Sequence, residues 1–143
     1  MTDSYQIFPV GFVRKKGSKT QIEILPKFRA ALFGLDGFSH IHVLYWFHEN
    51  DTPRQRSILQ VHPRNDKRNP LAGVFATHSP VRPNLVALTI CRITAIRENI
   101  IEIDGIDAND GTPVIDIKSY NRKNEAEPPF HVPEWARAGK ESC

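Results

Sequence analysis

The chain is poor in cysteine, with only Cys91 and Cys143 among its 143 residues. Neither belongs to a Cys-x-x-Cys pair, so neither a disulfide framework nor a zinc knuckle is expected. A reducing cytoplasm is the natural setting. No run of about 18 apolar residues occurs, which excludes a transmembrane helix and any reading as a membrane protein built on one. The opening residues MTDSYQIFPV hold no basic stretch followed by an apolar block, and no secretory signal is expected. The chain also lacks Gly-x-Ser-x-Gly, the Walker phosphate loop and Gly-x-Gly-x-x-Gly. A nucleophile elbow, P-loop phosphate binding and a dinucleotide fold therefore have no support. There is no internal repeat and no low-complexity segment. Strand and helix signals do not alternate, which argues against a doubly wound sheet.

What is present is a succession of short apolar runs divided by glycine, proline and charged turns. Strands are predicted at Ile7–Val13, Thr20–Leu25, Phe38–Phe47, Ile58–His62, Val74–Ala76, Leu85–Ile96, Ile100–Ile103 and Pro113–Ile117. The run Arg14-Lys15-Lys16-Gly17-Ser18-Lys19 reads as a turn. Glu98-Asn99 predicts a hairpin between a bulged long strand and its successor, and Asp110-Gly111 a tight turn. Lys27–Phe33 is the one helical piece, stopped by Gly34 and Gly37. The expected fold is mainly β, a small barrel or sandwich with one short helix and a C-terminal tail. Residues 1–122 would form the domain, and residues 123–143 a tail packed on it through Phe130, Val132 and Trp135.

Two stretches concentrate the chemistry. In Gly73–Asn84 an apolar lead enters Thr77-His78-Ser79, and Pro80 and Pro83 fix φ, remove two donors and hold Ser79 and Arg82 extended. A stiff polar loop that aims Arg82 and Asn84 suits a binding site; a solvated connector is the plain alternative. In Gly105–Lys118 three carboxylates, Asp107, Asp110 and Asp116, fall close together. Asp107 and Asp110 flank a turn, where side-chain bonds to nearby backbone are the ordinary explanation. Strict alternation puts Val114, Asp116 and Lys118 on one face, so that Asp116 and Lys118 pair or line a pocket mouth. His40, His42 and His48 fall on one face of an extended segment. Tyr45, Trp46 and Phe47 occupy the positions where a metal site would need a further carboxylate, so hydrogen-bonded sheet histidines are expected and no metal. Cys91, mid-strand, is expected to be inert.

Net charge is +3 from 19 basic and 16 acidic residues, a mild excess that permits a polyanion partner. Basic residues cluster at Arg14-Lys15-Lys16-Lys19, at Arg54 and Arg56, and at Arg64-Lys67-Arg68. They are either solvated loops or phosphate contacts that position RNA without reading its sequence.

Gly73–Asn84, followed by Gly105–Tyr120 and preceded by Leu35-Asp36-Gly37-Phe38-Ser39-His40-Ile41, resembles the TsaA-like (TrmO/YaeB) family, three motifs in the right order across most of residues 7–120. The resemblance implies a single-sheet β-barrel that binds S-adenosylmethionine, a homodimer with the cofactor near the subunit interface, and methylation at N6 of threonylcarbamoyladenosine at position 37 of tRNA. It implies a cofactor loop of Phe75, Ala76, Thr77, His78, Ser79, Arg82, Pro83 and Asn84, and a second wall of Asp107, Asp110, Gly111, Thr112 and Pro113. Asp116, Lys118 and Arg82 would serve the acceptor, with Tyr120 beyond. Cytoplasmic location follows; neither DNA nor membrane is expected as a partner. The chain departs from the pattern at His78, where the family has arginine, at Leu85-Val86-Ala87 in place of Pro-Ile-Gly, and at Ser119 in place of proline. The Pro-Arg-Gln signature near the N-terminus and the C-terminal extension of longer members are not expected here. An S-adenosylmethionine-binding protein acting on a small molecule, or without catalysis, is the alternative; a metal-binding barrel comes last.

Overall fold

Alternating burial builds the sheet. The computed structural model describes residues 3–137. Its strands are β1 (Gly11–Lys16), β2 (Lys19–Ile24), β3 (His40–Trp46), β4 (Gln60–Val61), β5 (Ala72–Gly73), β6 (Val86–Arg97), β7 (Ile100–Ile103) and β8 (Pro113–Ser119). Two α-helical turns, α1 (Pro53–Arg56) and α2 (Glu134–Arg137), complete the regular elements along with short 3-10 segments. Six strands close a barrel in the order β1-β2-β7-β6-β3-β8, while β4 and β5 pair separately. The mainly β barrel expected from the sequence is what the chain forms.

Every second residue of β3 turns inward, which buries Ile41, Val43 and Tyr45 and leaves His40, His42 and Leu44 half-exposed. Val13, Ile22, Ile24, Cys91, Ile101, Ile103 and Val114 complete the same core. Burying each large aliphatic side chain contributes about 1.5–3 kcal/mol. Closure leaves the barrel no free strand edge.

Two compact units divide the described chain. Residues 3–46 with 88–120 form the barrel unit; residues 47–87 with 121–137 form the other. The second unit has little regular structure. It buries Val74, Leu85 and Ala87, and is joined by main-chain bonds such as Phe47 N to Leu85 O at 2.9 Å and Val74 N to Leu59 O at 2.9 Å. The C-terminal segment leaves Phe130 72% exposed, with Val132 and Trp135 half-buried. Cys143 lies outside the described residues.

Several local expectations change; the first strand begins at Gly11 rather than Ile7, and the strand expected at 58–62 is only Gln60–Val61. The basic run at 14–19 is not a turn: Arg14, Lys15 and Lys16 extend β1, and only Gly17-Ser18 turn, with Gly17 at φ 59°. The segment read as a helix at 27–33 is a 3-10 helix at Pro26–Leu32; it buries no residue and has no side-chain cap, so nothing drives it to a full α-helix. Val74–Ala76 is a 3-10 turn rather than a strand, and the strand before it is only Ala72–Gly73. Finally, β8 carries a bulge. Tyr45 pairs with Val114 and Leu44 with Asp116, which makes Ile115 the extra residue. Alternation is thereby broken: Val114 faces the core, while Asp116 and Lys118 share the opposite face.

Candidate functional site

The loop at 77–83 is braced by its own polar groups. The Thr77 hydroxyl donates to Val74 O at 2.9 Å and accepts from Ser79 N at 3.1 Å. The Ser79 hydroxyl accepts from Val81 N at 3.2 Å. The Arg82 guanidinium donates to Thr77 O at 3.1 Å and Ser79 O at 3.2 Å. From α1, Arg56 donates to Pro83 O at 3.2 Å and to Asp51 at 2.7 Å. The prolines expected to stiffen this loop are thus joined by an arginine that ties both its carbonyls. Phe75, at its entrance, is 83% exposed; His78 and Asn84 are exposed too.

The segment at 107–113 belongs to the barrel unit. The Tyr45 hydroxyl, inside the barrel, shares a 3.0 Å hydrogen bond with Thr89 and donates to Asp107 O at 3.1 Å. Lys15 Nζ donates to Ile106 O at 3.1 Å. The Asp110 carboxylate accepts from Lys15 N at 2.8 Å, a partner 95 residues away. The local Asx bond expected for Asp110 gives way to this long-range one, since the β1 edge offers its donor where the turn arrives. Gly111 takes φ 86° and donates to Val13 O at 2.8 Å, and Thr112, only 4% exposed, accepts from Val13 N at 2.9 Å. A left-handed φ favours glycine there. The Asp107 carboxylate is exposed and makes no hydrogen bond among the described residues.

On β8, Asp116 accepts from Ile117 N at 2.9 Å and pairs with Lys118 at 3.4 Å. Asp116 also lines a cavity of about 490 Å³ with Val10, Ile24, Phe28, Leu35 and Ile117. The expected pairing is present, whereas of the two residues expected at a pocket mouth Asp116 lines this cavity and Lys118 does not. His40 bonds Ser39 at 2.7 Å, and the His40 and His42 rings lie 6.1 and 5.2 Å from Tyr120. His48 leaves the strand in a 3-10 turn, and no group of metal-ligating side chains occurs among the described residues. Burial pushes the Cys91 thiol up to about 12, so it stays protonated at neutral pH.

The predicted site residues therefore fall in both units: Phe75–Asn84 in one, Asp107–Pro113 with Asp116 and Lys118 in the other. Sequence reasoning did not assemble a cavity of about 760 Å³ in the second unit, lined by Arg64, Lys67, His78, Pro80, Val132 and Trp135 among others. Its signal was visible only in pieces, as a basic cluster and a tail tryptophan.

The profile of the tRNA-methyltransferase O N-terminal domain matches residues 6–126. The chain belongs to that family. Similar proteins occur in archaea, a bacterium and a mammal. A protein of Pyrococcus horikoshii named a probable S-adenosyl-L-methionine-binding protein is 48% identical over 118 residues, 82% of this chain and 84% of that protein. One of Methanocaldococcus jannaschii with the same description is 46% identical over 119 residues, 83% and 94% of the two chains. A mouse protein named tRNA (adenine(37)-N6)-methyltransferase is 38% identical over 90 residues, 63% of this chain but 20% of the mouse protein. The crystal structure of TrmO from Pseudomonas aeruginosa superposes with TM-score 0.71 at 27% identity and covers 94% of this chain. This chain spans 63% of the length of that TrmO chain. The TrmO family match ends at residue 126, before Val132 and Trp135.

Proposed function

We propose that this protein is an S-adenosyl-L-methionine-dependent methyltransferase acting at N6 of threonylcarbamoyladenosine at position 37 of tRNA. The family match over residues 6–126 carries the reading. The mouse relative's name gives N6 of adenine 37 of tRNA as that protein's target, the threonylcarbamoyl group comes from the motif resemblance, and the archaeal relatives' names supply the cofactor. The cofactor contributes an activated methyl group when bound.

Two segments, 75–84 in one unit and 107–113 in the other, are each proposed in its own right as a stretch that contacts it. Their chemistry fits. The exposed Phe75 ring offers an apolar face, and the self-braced loop offers fixed backbone groups. The unpartnered Asp107 carboxylate suits an ammonium or a ribose diol. Asp110, with one oxygen already held by Lys15 N, is better suited to positioning than to binding alone. Asp116 is the proposed proton acceptor for the substrate nitrogen, with Lys118 holding the substrate's carboxylate. Since catalysis here needs mainly alignment and exclusion of water, the rigidity of the 77–83 loop is its functional property. The protein works as a cytoplasmic homodimer in this reading, a state that analytical ultracentrifugation reads directly.

A second reading, a cofactor-binding protein that acts on a small molecule or without catalysis, is favoured by one observation: the archaeal relatives at 46–48% identity carry a binding description only. Mass spectrometry of tRNA nucleosides separates the two. A strain lacking this protein should lose the N6-methyl form of threonylcarbamoyladenosine and regain it with the wild-type gene but not with Asp116→Ala. An unchanged nucleoside profile, alongside intact cofactor binding by calorimetry, would leave the second reading standing.

A further inference from the structure

Tyr45 is the third inward residue of β3, after Ile41 and Val43, and is 1% exposed. A phenylalanine ring would fill that core position as well. A buried hydroxyl is costly unless it is bonded, and its net gain in stability when bonded is small. The Tyr45 hydroxyl spends its one proton outside the core, on a loop carbonyl: it donates to Asp107 O at 3.1 Å. The Thr89 hydroxyl on β6, 3.0 Å away, is then the donor to the tyrosine oxygen. A chain of hydrogen bonds thus runs from the barrel interior to the turn at 106–111, and bonds in such a chain strengthen one another.

Strand β1 ties the same turn. Lys15 Nζ donates to Ile106 O at 3.1 Å, and Lys15 N donates to the Asp110 carboxylate at 2.8 Å. Gly111 N donates to Val13 O at 2.8 Å, and Thr112 N to Asn109 O at 3.1 Å. Tyr45 also pairs with Val114, just after this segment enters β8. Tyr45, Thr89, Lys15 and the turn all lie in the barrel unit.

Two consecutive carbonyls, of Ile106 and Asp107, are therefore held by side chains from two different strands. The Ile106 side chain is anchored as well, at 9% exposed. The Asp107 carboxylate, by contrast, is exposed and makes no hydrogen bond among the described residues. A charged group that is free on a fixed backbone needs little further ordering when a ligand arrives, which is the property a binding group requires.

We infer that Tyr45 is a positioning residue for the cofactor site. Its hydroxyl, acting through the Asp107 carbonyl, sets the direction in which the Asp107 carboxylate meets the ammonium or ribose hydroxyls of S-adenosylmethionine. The inference rests on the cofactor reading above and adds to it a residue that works from inside the barrel.

The test is calorimetry of S-adenosylmethionine binding to the full chain, with a urea unfolding curve for each variant. Asp107→Asn should weaken binding about tenfold, through loss of a charge-assisted hydrogen bond. Tyr45→Phe should weaken it about fivefold, with an unchanged urea slope because the ring still fills the core. Thr89→Val removes the other bond of the same hydroxyl but keeps the one to Asp107, and should hold affinity within about threefold of wild type. The double variant Tyr45→Phe/Asp107→Asn should bind within about twofold of Asp107→Asn alone, because Tyr45 acts through that carboxylate. A tyrosine that only stabilised the barrel would lower the urea midpoint and leave the affinity where it was. That result would overturn the inference. So would a double variant whose losses simply add, or Asp107→Asn binding as tightly as wild type. The cofactor reading fails in a different way, as wild-type protein that binds no S-adenosylmethionine, and the inference would then fall with it.

Discussion

Arg68 and Asp66 show how much of this protein's surface charge is already committed to local geometry. Asp66 accepts from the Arg68 backbone N–H at 2.9 Å and from its guanidinium at 2.8 to 3.2 Å. These bonds hold the carboxyl at about 2, below its ordinary 3.8, with the Arg68 side chain the largest cause. The sign follows from linkage. A depressed folded value stabilises the turn above the ordinary carboxylate value, and that contribution disappears as pH falls toward 2. Carboxyl-detected NMR should therefore find Asp66 titrating near 2 in the wild type, and Arg68→Ala should return it to the ordinary carboxylate range. An Asp66 midpoint unmoved by that substitution would mean that the backbone bond, not the guanidinium, sets it. The same competition explains what was illegible at single residues. Arg82 and Asp110 were recognisable as polar groups in suggestive places, but whether each turns to a ligand or to its own backbone depends on which donors the fold brings near. Arg82 turned to two loop carbonyls, and Asp110 to a β1 amide.

At the scale of elements, β1 must lie close against β2 because Gly11 has no side chain. A Cβ at Gly11 would meet Glu23 O at 2.5 Å, a backbone atom that cannot swing aside, and Gly11 also pairs with Val114 of β8. Gly11→Ala should destabilise the barrel by about 1–3 kcal/mol. That corresponds to a clear fall in urea midpoint at unchanged slope. An unaltered midpoint would show that the strands separate at no cost. Gly11 lies inside the run read as the strand Ile7–Val13, and its role was not legible there, since close approach is a property of the pairing and not of the run. The β6–β7 hairpin, by contrast, was fully legible: its turn residue Glu98 has φ 54°, and the expected bulge appears as a register shift between Ile93 and Ala95. Local turn chemistry sets a hairpin. The bulge at Ile115 was not legible, because it exists only relative to β3, which is distant in sequence.

For the molecule as a whole, alternation with period two reported the barrel well and the rest of the chain hardly at all. Residues 47–87 fold through prolines, 3-10 turns and side-chain-to-backbone bonds, none of which leaves a periodic trace. What periodicity detects is a continuous buried face, and that is also what resists local opening. The barrel unit has six strands closed on one another and most of the buried aliphatic side chains. In residues 47–87 no strand apart from the start of β6 exceeds two residues, and Pro63, Val74, Leu85 and Ala87 are its buried apolar side chains. Native-state hydrogen exchange should therefore separate the two. Amides of β1, β2, β3, β7 and β8 should exchange slowest, and those of the bonded turns at 57–79 at least about tenfold faster, because each 1.4 kcal/mol of opening free energy is a factor of ten. Saturating S-adenosylmethionine should slow the loop amides of Ser79 and Val81 in particular, since ordering a ligand-contacting loop raises its opening cost. Equal protection throughout would mean that the two compact units open as one, and that the side-chain bonds bracing the 77–83 loop are worth as much as a closed sheet.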